Sequence, residues 1–367
     1  MPEKHKRLAI FLPDLVVGGA ERSMLKLADG IAARGYPVDL ILARASGPLL
    51  NEIPDSVNLV NFRAKRVLSS LPALTHYLRS EKPFTLLSVL HANLIAIWGC
   101  RLAGVSTRVV VSERNTLTVE SRNYASDLRL KLMPILVRTF YPQAKSVIAV
   151  SYGVANDLTK LMKNNADNIK VIYNPIITPE FETKTRELVN HPWFITGELP
   201  VVLSVGRLSI QKGFDTLIRA FSKVRQTIPA RLMIIGEGEE RKSLESLVTR
   251  LGLDQEVSMP GFIPNPYPYM VRSSVFVLSS RWEGLPGVLI EALYCNPPLV
   301  STDCPSGPRE ILSDGKYGRL LVVDDVDDMA NAIISALNGE ISRPPQNSWA
   351  PYSIESVVDQ YINVLFQ

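Results

Sequence analysis

The chain contains thirteen short apolar segments, each four to seven residues long, separated by stretches in which apolar residues recur at helical spacing. Seven lie in the first half, at 7–12, 38–42, 57–62, 84–90, 108–112, 146–150 and 170–173, and six in the second, at 200–206, 231–236, 256–261, 275–280, 298–302 and 318–323. Most are apolar throughout instead of alternating with polar residues, which is typical of parallel strands covered on both faces. The pattern therefore predicts an α/β fold with doubly wound parallel sheets.

A proline-rich segment from about 174 to 199 interrupts the alternation, and we interpret it as a linker between two domains. The length of 367 residues agrees with two domains. The predicted boundaries are 1–185 for a first Rossmann-like domain and 186–350 for a second. The segment 351–367 is predicted to be a helix that begins after an N-cap at Ser353 and packs back on the first domain. Two such domains in tandem leave a cleft between the carboxyl ends of their sheets, where ligands of this fold class bind.

The sequence favours a protein without a membrane span in a reducing compartment. No apolar run reaches the length of about 18 residues that spans a bilayer, and Pro13 and Asp14 end the first apolar run early. The three cysteines, Cys100, Cys295 and Cys304, form no closely spaced pair, so neither a disulfide framework nor a zinc site is expected. A cytoplasmic location follows as an expectation. Cys304 is a candidate nucleophile only if a histidine approaches it in space.

The charge is distributed unevenly along the chain. Residues 1–190 contain 25 lysines and arginines against 16 acidic residues, whereas the remainder contains 15 against 20, so the halves carry +9 and −5. A basic half beside an acidic half suggests an anionic partner for the first half. A membrane surface, a phosphorylated acceptor and a nucleic acid are the candidates at this point.

Two cations follow the first strand of the second half, in the segment GRLSIQKG at 206–213. Arg207 comes directly after the glycine that ends the strand, and Lys212 comes just before a predicted helix. Cations at a strand end beside a helix N-terminus provide a seat for a diphosphate. Two solvated surface charges are the alternative interpretation.

The segment RWEGLPGVLIEAL at 281–293 places Glu283 before a turn and Glu291 within the helix that follows, for which Pro286 suits the first helical position. Retaining glycosidases need two carboxyl groups about 5–5.5 Å apart, and a strand-end turn and a helix interior are not expected to converge that closely. The spacing better suits two hydroxyl-bearing groups at opposite ends of a diphosphate, with the amides of the turn facing the phosphates between them. A helix-terminal charge and a surface glutamate are the simpler alternative.

The combination of GGAER (18–22), GRLSIQKG (206–213), GEGEERKSLESL (236–247), PGF (260–262) and the pair Glu283 and Glu291 resembles the retaining glycosyltransferases of family 4, which have the GT-B fold. The similarity covers nearly the whole chain in the right order. It implies an acceptor-binding first domain and a second domain that binds a nucleotide sugar, the two facing each other across a cleft.

The resemblance also assigns roles to individual residues. It implies donor diphosphate binding by Arg207 and Lys212, a carboxylate facing the donor sugar at Glu283, and a histidine near that sugar at His91. Further donor contacts are implied for Gly18, Gly19, Phe262, Gly284, Leu285, Pro286, Gly287 and Glu291. The segment SERN at 112–115 falls where related enzymes carry polar residues on the acceptor side, which suggests Glu113, Arg114 and Asn115. The histidine usual in that block is absent from it.

We expect transfer of a hexose or N-acetylhexosamine from a UDP-linked donor to a glycan or lipid-linked saccharide. Neither a metal nor a cofactor is expected. A nucleotide-sugar epimerase of the same fold is the alternative enzyme, and a nucleic-acid-binding protein using the basic half is the alternative from another class. The basic stretches lack the interleaved aromatic residues and motifs of nucleic-acid binding. A sugar-nucleotide sensor without activity is a third alternative, which the intact glutamate and cation pairs argue against.

The stretch 121–145 indicates a basic amphipathic helix, kinked near Pro134. Its basic residues are Arg122, Arg129, Lys131, Arg138 and Lys145, and they alternate with leucines, Ile135 and Phe140. The segment 62–79 adds Arg63, Lys65, Arg66 and Arg79. One hypothesis is that this half lies on an anionic membrane and uses a polyprenyl-diphosphate-linked acceptor. An ordinary core-facing helix with a solvated basic face explains the pattern equally well.

Overall fold

The structure is a computed structural model that describes residues 6–16, 18–123, 128–163, 166–195 and 197–367. Of residues 120, 122, 123 and 128–130, only the backbone is described. The chain divides into two compact units, one formed by residues 1–176 together with 351–367 and the other by residues 177–350. No helix within the described residues has both the length and the apolar character that a membrane crossing requires.

The first unit is a parallel sheet of seven strands with helices between them. In chain order it contains β1 (Leu8–Leu12), α1 (Gly19–Ala33), β2 (Val38–Leu42), β3 (Asn58–Asn61), α2 (Leu71–Glu81), β4 (Thr85–Val89), α3 (Asn93–Ala103), β5 (Arg108–Glu113), α4 (Leu117–Asn123), α5 (Leu128–Phe140), β6 (Ser146–Ala149), α6 (Tyr152–Met162) and β7 (Ile169–Val171). The strand order is β3-β2-β1-β4-β5-β6-β7. β1 pairs with both β2 and β4, so the order reverses between β1 and β4.

The second unit is a parallel sheet of six strands. It contains α7 (Glu180–Thr185), β8 (Val201–Val205), α8 (Phe214–Arg225), β9 (Arg231–Ile235), α9 (Arg241–Arg250), β10 (Val257–Gly261), α10 (Tyr267–Arg272), β11 (Val275–Leu278), α11 (Gly287–Cys295), β12 (Leu299–Thr302), α12 (Pro308–Ile311), β13 (Arg319–Leu321) and α13 (Val326–Leu337). The strand order is β10-β9-β8-β11-β12-β13, so this sheet reverses between β8 and β11. All thirteen predicted strands are present, each within three residues of its predicted limits.

The strands form because β-branched and leucine side chains cover both faces of each sheet. The central strands β1, β2 and β4 are buried along their whole length, as the continuous apolar runs predicted. In the second unit, the helices α8 and α13 pack on the sheet through Leu217, Phe221 and Ile333, none of which reaches solvent. This packing fixes the strand ends, and therefore the loops that follow them.

The final helix, α14 (Ile354–Phe366), belongs to the first unit. The side chain of Ser353 caps it by accepting a hydrogen bond from the backbone N–H of Ser356. Leu365 and Phe366 lie in the core of the first unit, where the Phe366 ring stacks on Tyr36 at 4.0 Å between ring centroids. The hydroxyl of Thr85 in β4 donates to the carbonyl oxygen of Leu365 at 2.5 Å. Residues 351–367 therefore complete the core of a sheet whose strands all precede residue 172.

The segment interpreted as a linker is partly structured, and the boundary between the units lies at 176/177 instead of 185/186. Residues 180–185 form α7, whose Phe181 is buried and stacks on Tyr267 with 4.3 Å between ring centroids. The prolines made this segment resemble an open linker. The buried Phe181 attaches it to the second unit, together with a hydrogen bond that the side chain of Asn265 donates to the carbonyl oxygen of Lys184 at 2.9 Å.

The packing of α14 predicts which parts of the chain it stabilises. Leu365→Ala removes a side chain with no solvent exposure, and such a change costs about 2–5 kcal/mol. Hydrogen exchange measured by mass spectrometry should show faster exchange in peptides from β1 and β4, while peptides from β8 and β11 keep their protection. Asn363→Ala, at an exposed position of the same helix, is the matched control. Equal loss of protection in both units would contradict the assignment of α14 to the first unit.

Candidate functional site

The strand reversal of the second sheet defines where a ligand is expected. β8 and β11 are parallel neighbours, and their connections leave in opposite directions along the sheet. The carboxyl ends of two such strands border a crevice, and open α/β sheets bind ligands there. The loop that follows β8 carries Arg207 and Lys212, and the loop that follows β11 carries Glu283.

The loop after β8 carries two cationic side chains that differ in solvent exposure. Arg207 is exposed, and among the residues that the structure describes it forms neither an ion pair nor a side-chain hydrogen bond. Lys212 ends a short 3₁₀ turn and is half-buried. Gly213 then starts α8 with a left-handed φ of 61°. This backbone turn directs the chain from the strand into the helix and brings Lys212 towards β11.

The ammonium of Lys212 binds the carboxylate of Glu283. Lys212 Nζ lies 2.6 Å from Glu283 Oε1, and Ser280 Oγ donates to the same oxygen, also at 2.6 Å. Glu283 is only 7% exposed and Ser280 is fully buried. A carboxylate at such a position is stable because it is paired and hydrogen-bonded. The structure thus brings together two of the four residues predicted to be catalytic.

The turn between Glu283 and α11 is held against the neighbouring loop after β12. Gly284, Leu285 and Pro286 are all buried. The hydroxyl of Ser306 donates to the carbonyl oxygen of Gly284 at 2.7 Å, and the N–H of Glu283 donates to Pro305 at 3.4 Å. α11 begins at Gly287, so Pro286 lies one residue before the position predicted for it. Its ψ of 96° is extended and not helical, which explains the difference.

Glu291 lies within α11 and is half-buried. The hydroxyl of Tyr267 lies 3.5 Å from Glu291 Oε1. Phe262 follows β10, two strands from β8 on the opposite side to β11, and is 55% exposed. Strand order therefore places Arg207 and Phe262 on loops at the same sheet edge as the Lys212–Glu283 pair, and Glu291 lies in the helix that follows Glu283. Whether they contact a nucleotide, as the resemblance implies, stays a prediction.

In the first unit, the predicted donor residues lie at the corresponding reversal of the sheet. Gly18 and Gly19 follow β1, where Gly18 precedes α1 and Gly19 begins it. His91 follows β4 in a 3₁₀ turn and is exposed. Because β1 and β4 are the neighbours between which the strand order reverses, these three residues occupy the expected ligand edge of their own unit.

Two of the three residues predicted on the acceptor side are buried. Glu113 and Arg114 are each only 5% exposed. Glu113 accepts hydrogen bonds from the hydroxyl of Tyr141 at 2.8 Å and from the backbone of Arg114 at 3.0 Å. The guanidinium of Arg114 donates to Asn174 and approaches the sulfur of Met24. Side chains so enclosed support the loop and leave little surface for a saccharide, whereas Asn115 is exposed.

Burial in this cluster changes the protonation behaviour of its side chains. Desolvation and the nearby Glu113 carboxylate raise the pKa of the Tyr141 hydroxyl well above its usual value, so it remains a hydrogen-bond donor. Desolvation lowers the pKa of Arg114, which Tyr361, Glu113 and Glu21 partly oppose. The loop that ends in Asn115 is therefore supported by a polar network inside the unit.

Cys304 does not fit the role of a nucleophile. Its thiol is buried, and desolvation followed by the negative charge of Glu283 raises its pKa, which disfavours the reactive thiolate. Within the described residues, no three histidine, cysteine or acidic side chains are grouped as ligands of a metal ion.

Sequence reasoning missed three polar residues that shape the site. Ser280 was assigned to a strand, but β11 ends at Leu278, so its hydroxyl is free to turn towards Glu283. Arg281 starts the same turn and bonds to the loop of Lys212. Tyr267 contacts Glu291 from α10. The sequence held one signal for these contacts, which is the position of Arg281 directly after the strand predicted at 275–280.

The strand order reverses in both parallel sheets, and cations and a paired carboxylate lie at the ligand edge of the second one. These features agree with the GT-B glycosyltransferase fold that the sequence motifs predicted. A family profile described as Glycosyl transferases group 1 matches residues 186–355, and one described as Glycosyltransferase Family 4 matches residues 17–179. The chain belongs to the family 4 glycosyltransferases, as the sequence motifs predicted.

Proteins similar to this chain include bacterial glycosyltransferases. The chain is 29% identical over 354 residues, 91% of each protein, to the N-acetylgalactosamine-N,N'-diacetylbacillosaminyl-diphospho-undecaprenol 4-alpha-N-acetylgalactosaminyltransferase of Campylobacter jejuni. It is 26% identical to the lipopolysaccharide core biosynthesis glycosyltransferase LpsE of Rhizobium meliloti, covering 95% of this chain and 96% of that protein. The solved structure of Anabaena Alr3699/HepE in complex with UDP and glucose has the same fold, with a TM-score of 0.77, 21% identity, and coverage of 98% and 99%.

The loop after β8 approaches the loop after β11 closely at Gly213 and Ser279, which predicts different losses of stability for two glycine substitutions. Gly213 and Gly252 have similar φ angles of 61° and 66°, so alanine strains both backbones by about 1 kcal/mol. A Cβ at 213 would lie 2.2 Å from the carbonyl oxygen of Ser279, whereas one at 252 meets nothing within 4 Å. Urea unfolding should show a clearly larger loss of stability for Gly213→Ala, and that variant should also bind UDP more weakly. Equal effects of the two substitutions would contradict the loop contact.

Proposed function

We propose that the protein transfers a hexose or N-acetylhexosamine from a UDP-linked donor, with retention of configuration, to a saccharide carried on a polyprenyl diphosphate. The observation that carries this proposal is the exposed Arg207, which forms no ion pair with any described residue and lies on the same loop as Lys212, the partner of Glu283 at the reversal of the second sheet. Family membership supports the reaction class.

The proposed chemistry follows from the charges. Breaking the bond between the anomeric carbon and the diphosphate leaves negative charge on the phosphate oxygen. The guanidinium of Arg207 and the ammonium of Lys212 stabilise that charge, and the amides of the turn at Gly284 and Gly287 add to it. Because these groups supply the positive charge, we propose that transfer needs no divalent metal.

The other residues of the site hold the donor in this proposal. Glu283 accepts hydrogen bonds from hydroxyl groups of the sugar, and Glu291 accepts from the ribose. The exposed ring of Phe262 lies beside the base. From the first unit, His91 contacts the sugar, and the loop of Gly18 and Gly19 approaches the phosphates.

We propose displacement on one face of the sugar. The acceptor oxygen forms its bond to the anomeric carbon as the bond to the diphosphate breaks, and the acceptor proton passes to the departing phosphate oxygen. Glu283 is a poor nucleophile for a covalent alternative, because Lys212 and Ser280 both donate to its Oε1. The configuration is retained because entry and departure use the same face.

Relatives support the choice of donor and acceptor. HepE of Anabaena was solved with UDP and glucose. The Campylobacter jejuni relative is named as an N-acetylgalactosaminyltransferase acting on a diphospho-undecaprenol saccharide. We propose that this protein uses a lipid-linked acceptor of that kind and acts at the cytoplasmic face of a membrane.

Transfer assays test the proposed function directly. We expect UDP-linked N-acetylhexosamines or hexoses, but not GDP- or ADP-linked sugars, to raise the melting temperature. With a polyprenyl-diphosphate saccharide and EDTA present, turnover should continue, and NMR should show a product with the anomeric configuration of the donor. Conversion of the UDP-sugar into its epimer without acceptor would favour an epimerase instead. An inverted product, or loss of activity in EDTA, would contradict the mechanism.

Site variants of the same assay examine the cation and the carboxylate. Lys212→Ala and Glu283→Ala should lower turnover by about a thousandfold, the range seen when a group that stabilises developing charge is removed. Lys223→Ala is the matched control, since Lys223 lies on α8 of the same unit and the change removes only its exposed ion pair with Asp327 of α13. Circular dichroism checks that each variant is folded. Turnover close to that of the unmodified protein in either site variant would refute its assignment.

We also propose that α5 attaches the first unit to an anionic membrane. Leu132 and Ile135 are 45% and 62% exposed and lie three residues apart on one helical face. Lys131 and Arg138 are exposed beside them. Exposed apolar side chains flanked by cations suit the interface of anionic lipids.

The structure divides the predicted amphipathic segment and describes only part of it. Residues 117–123 and 128–140 are the separate helices α4 and α5, and Pro134 lies inside α5. The side chains of Arg122 and Arg129 lie outside the described residues. The membrane proposal therefore rests on residues 131–138 of α5.

Vesicle sedimentation tests this membrane contact. The protein should sediment with phosphatidylglycerol vesicles at about 0.05 M salt and less at about 0.5 M, because salt screens the basic side chains. The double variant Leu132→Asp, Ile135→Asp should stay in the supernatant. Leu188→Asp changes a leucine that is 94% exposed in the second unit, and it should sediment normally. Failure of the unmodified protein to bind at low salt would refute the contact.

A further inference from the structure

Arg281 joins the loop of Glu283 to the loop of Lys212 through main-chain contacts. Its backbone N–H donates to the carbonyl oxygen of Gln211 at 2.7 Å, and its Nη1 donates to the carbonyl oxygen of Ile210 at 2.8 Å. Both acceptors immediately precede Lys212. The side chain of Gln211 returns the contact by donating to the carbonyl oxygen of Trp282 at 2.8 Å.

The remaining donors of the Arg281 guanidinium are held by two carboxylates. Nη2 donates to Asp215 at 2.9 Å, and Nε donates to Asp324, with its two oxygens at 2.9 and 3.0 Å. Asp324 follows β13 and also accepts from the hydroxyl of Thr216 at 2.8 Å. The guanidinium thus connects three loops at the carboxyl edge of the sheet: those after β8, β11 and β13.

This network keeps Asp324 charged. Burial acts to raise the pKa of Asp324, but hydrogen bonds from Arg281 and Thr216 outweigh it, and the net result is a lowered pKa. The Arg281 side chain is only 21% exposed, and its nitrogens already bind carbonyl and carboxylate oxygens. It is therefore not available as a third clamp on a diphosphate. The planar fork of donors is specific to arginine, since a lysine offers a single ammonium.

The backbone of Lys212 is consequently fixed from the side of β11. Ser279 Oγ donates to the carbonyl oxygen of Lys212 at 2.7 Å, and Arg281 holds the two residues before it. The lysine side chain has four rotatable bonds, so the position of its ammonium depends on where this backbone is held.

We propose that Arg281 is a positioning residue, which sets the place of the Lys212 ammonium relative to Glu283 and so relative to the donor diphosphate. The inference rests on the proposed function for its catalytic meaning. A misplacement of about 1 Å can reduce an enzymatic rate by about a hundredfold. Arg281 therefore influences transfer without touching the substrate.

A double-mutant cycle on UDP affinity tests the coupling, because UDP binding stays measurable when turnover is lost. Arg281→Lys should weaken UDP binding about tenfold and lower kcat/KM by about tenfold to a hundredfold. In the Lys212→Ala background, the same substitution should change UDP affinity by less than about twofold. Arg225→Ala is the control, since it breaks a half-buried ion pair with Glu256 in the same unit. It should leave UDP affinity unchanged.

A crystal structure of Arg281→Lys provides a measurement that does not depend on activity. We expect the distance between Lys212 Nζ and Glu283 to lengthen from 2.6 Å to beyond hydrogen-bonding range. An unchanged distance, or losses of UDP affinity that add in full in the double variant, would overturn the positioning role. If the unmodified protein binds UDP but transfers no sugar, the proposed function fails. The double-mutant cycle on UDP affinity and the distance between Lys212 Nζ and Glu283 then still decide whether Arg281 is a positioning residue.

Discussion

Lys212 and Glu283 are 71 residues apart in sequence, yet their charged groups lie 2.6 Å apart because β8 and β11 are adjacent strands. The pair has two consequences for the surroundings. It allows a carboxylate to remain in a nearly buried position, and it keeps an ammonium at the ligand edge of the sheet. The loops beside it are then arranged around a fixed pair of opposite charges, and Arg207 on the loop after β8 is exposed.

Both units have a parallel sheet whose strand order reverses once, but different residues lie at the two reversals. In the second unit, the reversal of the sheet carries cations and acids, which suit an anionic nucleotide. In the first, the reversal carries glycines and a histidine, and the polar side chains nearby are engaged within the unit. A parallel sheet buried on both faces supplies rigid strand ends in each case. Function then depends on which residues follow those ends.

The sequence was sufficient for the strands because most are continuous apolar runs, which are typical of parallel strands covered on both faces. It was sufficient to place Lys212 and Glu283 at the carboxyl edge of the second sheet, because each lies in the loop that follows a buried strand. It failed where the outcome depended on contacts between distant segments. Glu113 and Arg114 look like surface residues in sequence, and only the positions of Tyr141 and Asn174 show that they are buried.

The roles of Ser280 and Arg281 were hidden for a related reason. Arg281 begins the motif at 281–293 and Ser280 precedes it. Their contacts become visible only when the end of β11 and the loop after β8 are placed side by side. The boundary at 176/177 was misplaced because proline content indicates an extended segment and says nothing about a buried phenylalanine. Local patterns thus identified the elements, and tertiary contacts decided the details of the site.

The return of α14 to the first unit has a consequence for synthesis of the protein. On the ribosome, residues 177–350 emerge as one continuous segment and can complete their sheet as soon as it is exposed. The first sheet is made earlier, but its core lacks Tyr361, Leu365 and Phe366 until residues 351–367 have left the exit tunnel. The first unit is therefore translated first but completes its core last. Until residues 351–367 join it, the apolar residues that α14 covers are exposed, and a chaperone can bind them.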